Sequence, residues 1–216
     1  IFMKYHKLVE NAKKPNGFWG KMMIKAMNKE HSSLTSWGLE HMNIERTATV
    51  LDIGCGGGKT VDRLCSIVAN GKVCGIDYSE LSVKSSEKLN SKNILCNKAK
   101  ILQASVSDMP FDDNTFDNIT AVETYYFWPD KENDVKEVFR VLKQGGTVML
   151  LFEMLRTDDD PFKWEKVENM LNIKSVTPQE IRAVLESAGF KNINTYTKEG
   201  TTWLCATAQK PKDDEN

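Results

Sequence analysis

Four residues at alternating positions in one short stretch could hold a small ligand. Asp52, Gly54, Gly56 and Gly58 form a D-x-G-x-G-x-G pattern within "VLDIGCGGGKT". Glycines let the backbone approach a ligand closely, because they carry no Cβ atom. A carboxylate beside such a loop repels phosphate and favours a ligand that is cationic or rich in hydrogen-bond donors.

The same stretch does not match the two common phosphate-binding loops. A P-loop requires G-x-x-x-x-G-K-[ST], but Ile53 stands where its first glycine should be. The dinucleotide fingerprint G-x-G-x-x-G also fails, since its sixth position is Lys59. Nucleoside triphosphates and nicotinamide dinucleotides are therefore disfavoured as ligands. A nicotinamide-dependent oxidoreductase stays open as an alternative.

A second carboxylate, Asp77, ends the next apolar run, "KVCGID". Its two oxygens can accept hydrogen bonds from both hydroxyls of a ribose. Tyr78 follows and can offer an apolar wall to an adenine. Cys55 fills a small-residue position in the glycine loop, which predicts that its backbone lies near the ligand. The alternatives are purely structural roles, in which Asp77 only caps a helix and the glycines only form a turn.

Alternating strands and helices must position these residues. Ser79 and Asp130 can cap helices, and "TPQE" combines Thr, Pro and Glu in a capping box. "KNINTYT" and "TTWLCATAQ" flank a hairpin signal. The strands are expected in five short apolar runs, typical of parallel strands buried on both faces: "ATVLDIG", "KVCGID", "KILQAS", "FDNITAVE" and "GTVMLLFEM". This order predicts an α/β, doubly wound Rossmann-like fold, with a mostly parallel seven-stranded sheet and a C-terminal antiparallel hairpin.

Composition limits the partners. The 216 residues carry a net charge of −1, so there is no basic excess to attract nucleic acid or an anionic membrane surface. No apolar run approaches the roughly 20 residues of a membrane span. Five cysteines without a CxxC pair indicate a reduced, cytoplasmic protein, and the three histidines lack metal-ligand spacing. We expect a monomer or homodimer that binds no metal.

Taken in order, the motifs resemble those of the class I S-adenosylmethionine-dependent methyltransferases. Within this class they are similar to the small-molecule group, methyltransferase domain 11, that includes the ubiquinone and menaquinone biosynthesis enzymes. The resemblance spans residues 45–208 and rests on "VLDIGCGGG", "GIDYS", "ILQASVSDMPF", "FDNITAVETYYFWPD" and "EVFRVLKQGGTVMLL". It implies S-adenosylmethionine as cofactor, S-adenosylhomocysteine as product and in-line methyl transfer to a small-molecule acceptor. A non-catalytic S-adenosylmethionine-binding regulatory module is the alternative.

The resemblance also implies which residues bind the cofactor. They are Asp52, Gly54, Cys55, Gly56, Asp77, Tyr78, Ser105, Val106, Ser107 and Glu123. One segment departs from the family, which often has an aspartate followed by a small residue after the third strand. This chain has Ser105 and Val106 there, so adenine binding would rest on the backbone, Ser107 or Asp108.

The acceptor side is expected at "ETYYFW", after the fourth strand, and in the segment before the core. Trp and Met at helical spacing in that segment predict helices that pack on the sheet or cover the cofactor. The expected organisation is a helical lid at 1–44, the methyltransferase domain at 45–209 and a disordered tail at 210–216. Glu123 is the first candidate for a catalytic base and His31 the second. The candidate acceptor-binding residues are Trp19, Trp37, Tyr125, Tyr126 and Trp128.

Overall fold

The computed structural model describes residues 32–212, together with Gly17 and Gly20. Two predicted site residues, Trp19 and His31, lie outside the described residues. So do most of the predicted lid and residues 213–216 of the predicted tail. Within the described range, no helix is long and apolar enough to cross a membrane.

Seven strands of the described chain form one sheet, in the order β3-β2-β1-β4-β5-β7-β6. They are β1 (Thr49–Ile53), β2 (Lys72–Asp77), β3 (Ala99–Gln103), β4 (Phe116–Val122), β5 (Leu142–Phe152), β6 (Lys191–Thr197) and β7 (Leu204–Gln209). Neighbouring strands from β3 to β5 are parallel, and β7 is antiparallel to both β5 and β6. The predicted fold class, including the terminal antiparallel hairpin, is confirmed.

Helices cover both faces of this sheet. A segment at 32–39 is helical, followed by α1 (Lys59–Ile67), α2 (Glu80–Leu89), α3 (Ser91–Leu95), α4 (Lys131–Val141), α5 (Glu165–Leu171) and α6 (Pro178–Ser187). On β1, Val50 packs in a cluster with Val61 of α1, whereas Leu51 packs in a cluster with Val135 of α4. Successive side chains thus face opposite helical layers, which explains why the adjacent residues Val50 and Leu51 of β1 are both apolar.

Polar residues at the predicted positions start three of the helices. The side chain of Ser79 accepts a hydrogen bond from the N–H of Ser82 at the start of α2. Asp130 caps α4 in the same way. At α6, Thr177 and Glu180 form the predicted capping box. Such caps typically stabilise a helix by about 1 kcal/mol.

The strand register brings three strand ends to the same level. Ile53 of β1 pairs with Ile76 of β2 and with Ala121 of β4. The chain order also reverses at β1, because β2 and β3 lie on one side of it and β4 and β5 on the other. Such a reversal leaves a crevice beyond the carboxyl ends of the strands. The loops after β1, β2 and β4 therefore meet at one edge of the sheet.

The chain segments that flank this core are tied to it. Arg63 of α1 donates hydrogen bonds to the carbonyl oxygen of Ser32 at 3.0 Å and to Oγ of Ser36 at 2.7 Å. At the other end, the N–H of Lys210 donates to the carbonyl oxygen of Gly146 at 3.1 Å. Both the helical segment 32–39 and the chain after β7 are thereby held against the sheet.

Candidate functional site

The loop after β1 owes its shape to glycines in the left-handed conformation. The φ angles of Gly54 and Gly58 are 68° and 81°. A Cβ atom added at Gly54 would lie 2.2 Å from Oγ1 of Thr124, and one at Gly58 would lie 2.3 Å from Oγ of Ser86. Both positions therefore exclude a side chain, by conformation and by space. The loop is packed between the segment after β4 and helix α2.

Asp77 holds this loop from the end of β2. Its Oδ2 accepts a hydrogen bond from the N–H of Gly56 at 2.9 Å, and its Oδ1 accepts one from the N–H of Ser79 at 2.8 Å. The side chain is 8% exposed, and this burial raises the pKa of Asp77, while its hydrogen bonds oppose the shift. The hydroxyl of Ser82 also donates to this carboxylate, which leaves it room to accept a hydrogen bond from a ligand hydroxyl.

Asp52 lies beneath the loop, within β1. It is 2% exposed, and the hydroxyl of Thr120 donates to its Oδ1 at 2.7 Å. Burial raises the pKa of Asp52 to about 7; the Thr120 hydrogen bond lowers it, and the nearby charge of Asp77 raises it. Two neighbouring buried carboxyls favour a cationic or donor-rich ligand, which stabilises their ionised forms, and disfavour a phosphate.

Glu123 follows β4 in a strained conformation. Its φ of 58° is uncommon for a residue other than glycine. Its N–H donates to the carbonyl oxygen of Leu151 at 2.9 Å, and its carboxyl accepts hydrogen bonds from the N–H of Glu153 and the hydroxyl of Tyr126. Burial raises the pKa of Glu123 to about 8, although these two hydrogen bonds lower it. The carboxyl is therefore largely protonated at neutral pH.

A cleft of about 580 Å³ opens beside these groups. Tyr78, the residue after Asp77, lines it at the β2 end, and Tyr126, Phe127 and Trp128 supply an aromatic wall. Residues 168–174, from α5 and the segment after it, lie across from this wall. The fold thus brings three predicted site residues, Tyr78, Tyr126 and Trp128, to one cavity of a size typical of small-molecule sites.

Two predicted acceptor residues lie away from this cleft. Trp37 is 9% exposed and packs with Met149 of β5, and its ring centroid lies 5.9 Å from that of Trp203. Tyr125 is 5% exposed, and its ring lies 5.2 Å from that of Trp128 and 5.7 Å from that of Phe152. Both rings pack against residues that shape the site rather than lining it.

The segment after β3 lies beside Asp77. The N–H of Ala104 donates to the carbonyl oxygen of Asp77 at 3.1 Å. Oγ of Ser105 accepts a hydrogen bond from the N–H of Ser107 at 3.2 Å, and Val106 is buried in the core. Ser105, Val106 and Ser107, which were predicted to bind the cofactor, therefore form one compact turn next to the end of β2.

Cysteine and metal chemistry find little support at this site. Burial raises the pKa of the Cys55 thiol well above 9.0, and the charge of Asp52 adds to the shift. Since the thiolate is the reactive form, Cys55 is a packing residue of the loop. Among residues 32–212, no group of three or more His, Cys, Asp or Glu side chains is placed to hold a metal ion.

Sequence patterns missed the charged part of the cleft. Lys131 of α4 and Lys174, which follows α5, both line it, as does Glu168. The sequence also did not predict the hydrogen bonds of the Tyr126 hydroxyl. This hydroxyl accepts one from the N–H of Met154 at 3.0 Å and donates one to Glu123. Tyr126 therefore joins the segments that follow β4 and β5.

Comparisons with known proteins agree with this geometry. Residues 51–150 match the methyltransferase domain family. The chain is 27% identical over 187 residues to the uncharacterized methyltransferase YdaC of Bacillus subtilis, covering 86% of this chain and 96% of that protein. It is 30% identical over 181 residues to the ubiquinone/menaquinone biosynthesis C-methyltransferase UbiE of Cronobacter sakazakii, covering 73% of this chain and 72% of that protein.

A solved structure has the same fold. The S-adenosylmethionine-dependent methyltransferase from Aquifex aeolicus superposes with a TM-score of 0.67, at 22% identity, over 86% of this chain and 95% of that one. This likeness shows the fold, and the identity to UbiE over most of both chains shows the family. The chain belongs to the class I S-adenosylmethionine-dependent methyltransferases.

Proposed function

We propose that this enzyme transfers the methyl group of S-adenosylmethionine to a small molecule. The observation that carries the proposal is the cleft of about 580 Å³ that begins at Tyr78, next to Asp77. Its volume lies within the range of about 300–1,000 Å³ that is usual for small-molecule pockets. The name of the relative UbiE also points to quinones, which are small molecules.

A macromolecular acceptor fits these features less well. Nucleic-acid-binding domains usually carry a basic excess that neutralises phosphates, whereas this chain has a net charge of −1. The cleft is also lined by residues from three separate parts of the chain, at 78, at 126–131 and at 168–174, and has the volume of a small-molecule pocket. Both features favour a compact acceptor.

The chain's own residues fit the cofactor. Asp77 can accept a hydrogen bond from a ribose hydroxyl beside those from Gly56, Ser79 and Ser82. The buried Asp52 favours a nearby cationic group over a phosphate. Tyr78 and the turn at 105–107 would border the adenine, and the backbone of Gly54, Cys55 and Gly56 would border the methionine part. When bound, S-adenosylmethionine supplies a methyl group on a sulfonium, which a nucleophilic atom of the acceptor takes by in-line displacement while sulfur keeps the electron pair of the broken bond.

Glu123 is our candidate for the proton-accepting group. An acceptor that arrives protonated must lose its proton, and the carboxyl of Glu123 lies next to Tyr126, which lines the cleft. With a pKa of about 8 the group is mostly protonated in the free protein. A cation bound nearby favours the carboxylate, so Glu123 would become a base when the cofactor is present.

The proposal has two separable tests. Calorimetry should detect binding of S-adenosylmethionine and S-adenosylhomocysteine but not of ATP or NAD, because Asp52 and Asp77 repel phosphates. Methyl-labelled S-adenosylmethionine should then label the low-molecular-weight fraction of a cell extract in preference to its protein and nucleic-acid fractions. Label that enters only the macromolecular fractions would refute the small-molecule acceptor.

A further inference from the structure

Two lysines stand at the end of the cleft that is farther from the predicted adenine side. Lys174 lies close to the end of β5, because Val176 donates its N–H to the carbonyl oxygen of Met154 at 3.3 Å. Tyr78 follows β2, and β1 and β4 lie between β2 and β5 in the sheet. With strands about 4.8 Å apart, Lys174 stands roughly 14 Å along the sheet edge from Tyr78. Lys131, at the start of α4, lines the same cleft.

Neither ammonium group has a counter-ion close enough for an ion pair within residues 32–212. The Nζ atom of Lys131 lies 5.6 Å from the ring centroid of Tyr125. Burial lowers the pKa of Lys131, the charge of Asp134 opposes this shift, and the charge of Lys174 adds to it. The two ammonium groups are thus close enough to repel each other.

Two carboxylates lie within electrostatic range of the lysines, Glu168 of Lys174 and Asp134 of Lys131, but neither forms an ion pair with them. Glu168 accepts hydrogen bonds from the N–H and the hydroxyl of Ser175. Asp134 is fully buried, and its Oδ2 accepts a hydrogen bond from the N–H of Asp130 at 3.0 Å. Among the side chains that line the cleft, two are therefore positive and one is negative, in a chain whose net charge is −1. The donors of both lysines are left for a ligand.

We propose that the methyl acceptor is an acid, whose carboxylate or phosphate binds between Lys131 and Lys174. Its flat, apolar part would lie against the rings of Tyr126, Phe127 and Trp128. The inference rests on the proposed small-molecule methyl transfer and adds the chemical class of the acceptor. Hydrogen bonds between ammonium groups and such anions are short and strong. Holding the anion at this end also keeps it away from the methyl donor, so that another atom is methylated.

The first test identifies the product. The enzyme is incubated with deuteromethyl S-adenosylmethionine and a low-molecular-weight cell extract, and the labelled product is separated on an anion exchanger and identified by mass spectrometry. We expect a product that retains a free acidic group, and phosphatase treatment separates a phosphate from a carboxylate. A labelled product without an acidic group would overturn the inference and leave the proposed function intact. The absence of any labelled small molecule would overturn both.

The second test uses the identified acceptor with a double variant, its two single variants and a control. In Lys131→Gln/Lys174→Gln, the KM for the acceptor should rise about 10- to 100-fold, because charge-assisted hydrogen bonds are lost. The affinity for S-adenosylhomocysteine should stay unchanged. Each single variant should have a smaller effect, and Lys136→Gln, at an exposed position of α4, is the matched control. A KM of the double variant equal to that of wild type, or equal losses in the control, would refute the lysine site.

Discussion

Replacing Glu123 by glutamine should change how the stability of the protein depends on pH. Burial raises the pKa of Glu123 from 4.5 to about 8. Between these values the carboxyl is protonated in the folded state and ionised in the unfolded state. Because the unfolded state binds fewer protons, the free energy of unfolding falls as the pH rises through this window. Glutamine has nearly the same shape as glutamate and does not titrate, so the variant should not show this decrease in the free energy of unfolding.

The size of the effect follows from the number of protons involved. A difference of one bound proton changes the free energy of unfolding by about 1.4 kcal/mol per pH unit. Between pH 5 and pH 7, the variant should therefore gain roughly 2–3 kcal/mol relative to wild type. Burial also raises the pKa of Asp52, to about 7. Because Asp52 is present in both proteins, its effect on the free energy of unfolding largely cancels when the two are compared.

Urea unfolding at pH 5, 6 and 7 measures this difference directly. Glu87→Gln, at an exposed position of α2, is the control, because it removes a glutamate from the surface. We expect the stability of Glu123→Gln to diverge from that of wild type with rising pH, while the control follows wild type. Parallel curves for all three proteins would mean that the Glu123 carboxyl is ionised in the folded state.

The same variant tests the catalytic role of Glu123. If its carboxylate accepts a proton from the acceptor, turnover of the wild type should rise with pH, with a midpoint below 8 because the bound cation favours the carboxylate. Glu123→Gln should lose this rise at unchanged affinity for S-adenosylhomocysteine. The Tyr126 hydroxyl lowers the pKa of Glu123, so Tyr126→Phe should move the rise to higher pH. If affinity falls in step with turnover, Glu123 belongs to the cofactor site instead.

Two further substitutions test the glycine loop and its carboxylate. Asp77→Ala should weaken S-adenosylhomocysteine binding about 10- to 100-fold in calorimetry, whereas Asp62→Ala on α1 should bind like wild type; equal affinities would contradict the ribose contact. Gly54→Ala should destabilise the protein more than Gly200→Ala does, because both glycines have left-handed φ angles, 68° and 72°, but only the first approaches Thr124. Thermal unfolding measures the stability of the two variants. Equal losses of stability would mean that contact with Thr124 does not restrict the residue at position 54.

Most of the fold was predictable because its signals are local. The apolar run at β1 reflects helices on both faces, which bury Val50 and Leu51 in different clusters. The starts of α4 and α6 follow from single capping residues, Asp130 and Thr177. Each of these features depends on a few consecutive residues, so a sequence pattern can register it without knowledge of the tertiary structure.

Two helices were not predicted, and both lack the signal on which such predictions depend. No residue of α3 or α5 is buried. Helices are recognised in a sequence by apolar residues that recur on the face they bury. These two short helices offer few: Ile94 of α3, and Val167 and Leu171 of α5, are only partly buried against the core. The omission matters for function, because Asn169 of α5 and Lys174, which follows it, line the cleft.

The cofactor half and the acceptor half of the proposed site also differ in how far the sequence predicts them. The proposed cofactor half uses residues at the ends of strands or directly after them, such as Gly54, Asp77 and Glu123, so the strand pattern already indicated that they would meet. The acceptor half joins Lys131 of α4 to Lys174, and only the folded chain brings these distant residues to one cleft. Methyltransferases can therefore share the first half while methylating different molecules. Whether a relative has lysines at both positions should then predict whether it also takes an acidic acceptor, and a relative that lacks both yet methylates the same acid would argue against their role.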